Sequence, residues 1–162
     1  MNQNNQNNNP SISIFTDGGY RSSRDIGSFA YILAYLGNTK EYSQAEYNTT
    51  NNIQELKGIL YGLRALKVTN IPIVIYSDSQ YSLNSIFKWS HNWKKNGWKT
   101  SDKKDVKNKE LIIDILNELD RFENCDYCWI RGHDGDEFNE RCDKLVNRAM
   151  DELLELDNKE IG

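Results

Sequence analysis

Four acids stand at places from which a folded chain could gather them: Asp17, Glu55, Asp78 and Asp143. Asp17 follows the alternating run Ser11-Ile12-Ser13-Ile14-Phe15-Thr16 and precedes Gly18-Gly19, the pattern of a strand that ends where backbone must approach something closely. Asp78 follows residues 71–77, a nearly continuous apolar run typical of a central strand covered on both faces. Glu55 and Asp143 fall at the margins of apolar stripes on two amphipathic helices. Taken singly, each has a plainer reading: Asp17 as a turn or capping residue, Glu55 and Asp143 as solvated helix flanks. Together they suit hard divalent cations such as Mg²⁺, which choose carboxylate oxygens and water. Two such ions about 4 Å apart can activate a water and hold the leaving oxygen in phosphodiester displacement. Without a metal the four charges would repel strongly, so the cluster itself implies bound cations. A sugar-hydrolysing dyad would need only two acids, and no glycine cradle for a nucleotide is present.

The elements that must position these acids follow from periodicity. Residues 26–36 and 40–48 read as two further strands joined by a Gly37-Asn38 turn, which with the first makes an antiparallel meander. Residues 51–67 form an amphipathic helix through Ile53, Leu56, Ile59, Leu60, Leu63 and Leu66. A helix between the meander and the strand at 71–77 makes that strand parallel to the first and its neighbour. Asp17 and Asp78 are then expected on adjacent strand ends. A short helix at 79–88, a clear one at 108–122, a fifth strand at 126–131 and a final helix at about 138–156 complete the pattern.

With 162 residues the chain reads as one domain at 11–156, after an Asn-rich polar leader at 1–10 expected to be disordered and before a short tail at 157–162. No apolar run is long enough for a membrane span and no signal pattern opens the chain, so a soluble, cytoplasmic protein without a membrane partner is expected. Cys125, Cys128 and Cys142 are expected as reduced thiols. A four-ligand zinc with His133 is possible on count alone. However, residues three apart on a strand face opposite sides, so Cys125 and Cys128 could not easily share one ion. The net charge of −4 would argue against nucleic acid, but its distribution argues the other way: residues 88–109 carry eight lysines against two acids and leave an acidic remainder. Trp89, Trp93 and Trp98 interleave with those lysines, as on a nucleic-acid-binding surface.

Five blocks occur in order. They are Asp17-Gly18-Gly19; Thr49-Thr50-Asn51-Asn52-Ile53-Gln54-Glu55; Tyr76-Ser77-Asp78-Ser79-Gln80-Tyr81; Trp93-Lys94-Lys95-Asn96-Gly97-Trp98-Lys99-Thr100; and Gly132-His133 through Asn139-Glu140-Arg141-Cys142-Asp143. Along residues 11–150 this arrangement resembles bacterial-type (HI) ribonuclease H. The resemblance implies an α/β fold with a five-stranded mixed sheet of order 3-2-1-4-5 flanked by helices. It also implies endonucleolytic cleavage of the RNA strand of RNA–DNA hybrids, leaving 5′-phosphate and 3′-hydroxyl ends. It places Asp17, Glu55, Asp78 and Asp143 around two Mg²⁺ ions, for which Mn²⁺ can substitute, with Asp17 bridging them. His133 would move protons or help release product. Asn51, Asn52 and Gln80 would contact bases or sugars across the minor groove, where 2′-hydroxyls mark RNA. Tyr81, Trp89 and Trp93 would line a channel for the DNA strand, and Thr50 and Asn108 would grip a DNA phosphate. Lys94, Lys95 and Lys99 would supply phosphate contacts on a basic protrusion. A monomer is the family expectation.

The chain departs from that pattern in two places. The turn after Tyr20 is short, Arg21-Ser22-Ser23-Arg24-Asp25, without an evident counterpart of the substrate-contacting asparagine often found there. The loop after His133 carries Asp134, Asp136 and Glu137, charges that could raise the histidine's pKa or draw a further metal. Two other readings stay open at this point: a non-cleaving hybrid-binding module, and a polynucleotidyl transferase with an integrase-like core.

Overall fold

A computed structural model describes residues 9–131 and 136–161. Strands β1 (Ile12–Arg21), β2 (Ile26–Tyr35) and β3 (Asn38–Tyr47) form the antiparallel meander. Helix α1 (Asn51–Arg64) crosses from the meander to β4 (Ile73–Ser77), which lies parallel to β1 and pairs with it. A helical run follows, made of α2 (Gln80–Asn84), a π-helical segment (Ser85–Trp89) and α3 (Ser90–Lys95). Helix α4 (Lys109–Leu119), β5 (Cys125–Trp129, parallel to β4) and α5 (Glu137–Ile161) complete the fold. The five-stranded sheet has the order β3-β2-β1-β4-β5.

The strands alternate, and each face has its own cover. Ile14, Phe29, Tyr31 and Leu33 point to one face and pack with Leu56, Ile59, Leu60 and Leu63 of α1 and Ile112 and Ile115 of α4. Ile26 and Ala30 point to the other, against Val146 and Met150 of α5, as do Phe15 and Ile32 against Cys142. The middle of the sheet is thus buried on both sides. Each fully buried Ile or Leu of this core would cost roughly 2–5 kcal/mol if truncated to Ala.

The structure corrects several expected boundaries. β1 does not end at Asp17 but runs on to Arg21, because Gly18, Gly19, Tyr20 and Arg21 stay paired with Phe29, Ser28, Gly27 and Ile26. The helix expected at 79–88 continues to Lys95, so Trp89 and Trp93 stand on helix and not in the basic loop. The Ser90 amide reaches back to the Ser85 carbonyl, an i→i+5 bond that the 3.6-residue period does not announce. α5 extends beyond 156 to Ile161. Leu36 and Gly37 form the β2–β3 turn with φ of 49° and 80°, so a leucine sits in the left-handed region usual for Asn or Gly. Among the described residues no helix is long and apolar enough to cross a membrane.

Candidate active site

The first constraint on the site is unequal strand length. β1 and β4 pair from Ile12↔Ile73 to Phe15↔Tyr76; β4 ends one residue later, at Ser77, whereas β1 runs on to Arg21. Two residues on, that register brings Asp17 and Asp78 side by side at a notch in the sheet. The two glycines after Asp17 then work on opposite faces. A Cβ on Gly18 would strike the Glu55 backbone amide, and one on Gly19 would lie 2.7 Å from Val146 Cγ1. Their bare backbone lets α1 close on β1 from one side and α5 from the other.

That approach brings the acids together. One oxygen from each of Asp17, Glu55 and Asp78 lies within 4.8 Å of the others. Asp143, on α5, lines the same cavity, of about 290 Å³, but stands outside this tight group. Glu55 is buried, 5% exposed, where its place on the helical wheel suggested a core–solvent border. The difference comes from Gly18, which admits the helix until Glu55 meets the strand. Burial foremost, and then the charges of Asp78 and Asp143, push the Asp17 carboxyl up to about 8, against a lowering by the Gly18 amide. Glu55 is held well above the usual carboxylate range by burial, then by Asp17 and Asp78.

The donor set fits a hard divalent cation. It is made wholly of carboxylate oxygens, and Glu55 Oε2 is buried without a hydrogen-bond partner among the described residues. Cys142 lies next door with its thiol donating to the Phe15 carbonyl, and burial pushes its pKa up, so it acts as an apolar plug.

A family model described as RNase H matches residues 9–151. The chain belongs to the ribonuclease H family. It is 44% identical over 142 residues to a ribonuclease H of Hydrogenovibrio crunogenus, covering 88% of this chain and 97% of the relative. A ribonuclease H of Francisella philomiragia is likewise 44% identical, with 88% and 92% covered. The fold is shared with the crystal structure of LC9-RNase H1, a type 1 RNase H with the type 2 active-site motif (TM-score 0.74, 22% identity, 87% of this chain and 72% of that one). It is shared too with the N-terminal RNase H domain of Rv2228c from Mycobacterium tuberculosis (TM-score 0.71, 22% identity, 91% and 99%).

Against that family pattern, the other expected residues spread from the acidic cavity to the end of α3 and the loop beyond it. Asn51, on the first turn of α1, lines the acidic cavity, while Asn52 and Gln80 are exposed beside it in sequence at the starts of α1 and α2. Thr50 is the N-cap of α1, its hydroxyl accepting from the Ile53 amide at 3.1 Å. Asn108, left-handed at φ 60°, opens α4 and donates through Nδ2 to the Tyr81 hydroxyl at 3.0 Å. Tyr81, Trp89, Trp93 and Trp98 form a chain of ring contacts with centroids 6.4, 5.8 and 6.2 Å apart in turn. Lys94, Lys95 and Lys99 are exposed at the end of α3 and on the loop beyond it.

His133 and Asp134 lie outside the described residues. Asp136 caps α5: its Oδ1 accepts from the amides of Phe138 and Asn139, at 2.9 and 3.3 Å. Cys125 and Cys128 both fall on β5, three residues apart. Sequence reasoning passed over Asn139, Arg21 and Asn147, which also line the cavity. Asn139 is buried, and its place four residues before Asp143, one helical turn away, was the available signal.

Proposed function

We propose that this chain cuts the RNA strand of RNA–DNA hybrids endonucleolytically, with 5′-phosphate and 3′-hydroxyl products, using two divalent cations, Mg²⁺ or in its place Mn²⁺. The observation that carries the reading is the carboxylate group of Asp17, Glu55 and Asp78, with oxygens within 4.8 Å and two members buried. Asp17, Glu55, Asp78 and Asp143 would hold the cations, with Asp17 the ligand common to both. Bound cations there supply an activated water and charge neutralisation at the leaving oxygen. Glu55, screened from water by α1 and β1, keeps one wall of the site fixed, and the raised carboxyl pKa values mean that protons leave when a cation enters. His133 would carry a proton to or from the reacting oxygens.

Selection of a hybrid rests on two strands read at once. Asn51, Asn52 and Gln80 offer amide donors and acceptors suited to 2′-hydroxyls and base edges in a shallow minor groove. Tyr81, Trp89 and Trp93 provide a ring-lined path for the deoxyribose strand, Thr50 and Asn108 flank a phosphate position, and Lys94, Lys95 and Lys99 add salt-sensitive attraction.

The test is cleavage of end-labelled RNA annealed to DNA or to RNA, with Mg²⁺, Mn²⁺ or chelator, for the wild type and for Asp17→Asn. Metal-dependent cutting confined to the hybrid and lost in Asp17→Asn is the expected result. A hybrid bound but intact under every metal would hand the site to a binding role.

A further inference from the structure

Among the described residues lining the acidic cavity, Arg21 is the sole cation. It ends β1 four residues after Asp17, so the two side chains leave the strand on the same face, the one covered by α5, roughly 13 Å apart along the backbone. Its guanidinium is held by that helix. Nη1 donates to Asp151 Oδ1 at 2.7 Å and Nη2 to Asn147 Oδ1 at 3.1 Å. Asn147 is itself oriented, its Nδ2 donating to the Asp143 carbonyl at 3.0 Å. A guanidinium has five N–H donors in a rigid fork, and Asn147 and Asp151 engage only part of it.

We infer that Arg21 is a substrate-binding residue that grips a phosphodiester of the RNA strand flanking the one that is cut. This rests on the hydrolysis proposed above, which places that strand across the carboxylates. An acidic cavity without bound cations repels a polyanion, so a preorganised cation at its rim gives the strand a fixed second point of attachment and sets its register over the acids. The β1–β2 connection, a single 3₁₀ turn at Ser22–Arg24, carries one further cation, Arg24, but it does not line the cavity. Asp151 orients Arg21 but competes with phosphate for it, and at 62% exposure of its side chain it is solvated enough to yield.

The plainer role for Arg21 is a staple between β1 and α5. The two are separated by hybrid binding to the non-cleaving Asp17→Asn protein, followed by fluorescence anisotropy across a salt series, with Arg21→Gln, Arg21→Lys and Asp151→Asn added one at a time. Arg21→Gln is expected to weaken binding roughly tenfold and to flatten the slope of log Kd against log salt by about 0.7–0.9, the loss of one phosphate contact. Arg21→Lys restores the slope but only part of the affinity, and Asp151→Asn binds as well as its parent or better. If Arg21→Gln leaves slope and affinity unchanged, or if Asp151→Asn weakens binding as much as Arg21→Gln while both lower Tm alike, the residue is a staple and the inference falls. Wild-type cleavage of the same hybrid, measured in parallel, reports separately on the hydrolytic reading.

Discussion

Replacing the Asp17 carboxyl by an amide should stabilise the metal-free protein near neutral pH while ending its activity. Asp17 has an ordinary carboxyl pKa of 3.8 when unfolded and about 8 in the fold. The folded state therefore prefers the protonated acid. Below pH 4 that preference has no effect, because the unfolded chain is protonated too. As pH rises from 4 toward 8, the unfolded chain releases its proton and the folded one keeps it, so stability is lost by up to about 1.4 kcal/mol per pH unit. The amide introduced by Asp17→Asn has no such proton to lose, and its oxygen can still accept from the Gly18 amide, which in the wild type donates to Asp17 Oδ1 at 2.9 Å. For an isolated group the gap at pH 7 would reach about 4 kcal/mol. Asp78 and Glu55 share the repulsion and the cavity opens to water, so about 2–4 kcal/mol is expected for Asp17→Asn. For a chain of this size that is a Tm higher by about 5–15 °C in chelator at pH 7, with the difference vanishing near pH 4. Added Mg²⁺ should narrow it, because the cation stabilises only the protein that binds it. The assay is thermal or urea unfolding of both proteins over pH 4–8, with and without metal. Equal stability at pH 7 in chelator, or a gap independent of pH, would refute the reasoning.

Three further outcomes follow from particular contacts. Leu36→Asn should raise stability by about 0.5–1 kcal/mol in urea unfolding, since Leu36 is 68% exposed and takes a positive φ that asparagine tolerates. Gly18→Ala should push α1 off β1 and lose most cleavage with a fold still intact by circular dichroism, whereas an unaffected rate would mean that the close approach of Glu55 is not needed. Asp136→Ala should cost about 1 kcal/mol through the lost α5 cap, with no change in the metal dependence of cleavage.

Sequence pattern revealed most of this fold, because local signals and the sheet topology agree. The strands, the crossover and the helices around Leu56 and Ile112 carry periods that no tertiary contact overrides. The four acids suggested by residue type and spacing line one cavity, although Asp143 stands outside the tight group of the other three. What escaped was set by distant partners. The Gly18-Gly19 pair looks like a strand end, yet it stays paired to β2, and its purpose is to admit two helices. Glu55 looked half-exposed because a helical wheel does not show how near the next strand comes. The π-helical segment needs one extra residue in a turn, which apolar spacing does not record. Arg21 reads as part of a loop until the pairing with Ile26 places it on the sheet beside α5.

The bond from the Gly18 amide to Asp17 Oδ1 has a practical use. The Gly18 proton lies directly on the carboxylate whose charge changes when a proton leaves or a cation arrives, so its nuclear magnetic resonance is a reporter already built into the site. Its chemical shift, followed against pH and then against Mg²⁺, reads the state of Asp17 with no nucleic acid, label or mutation present.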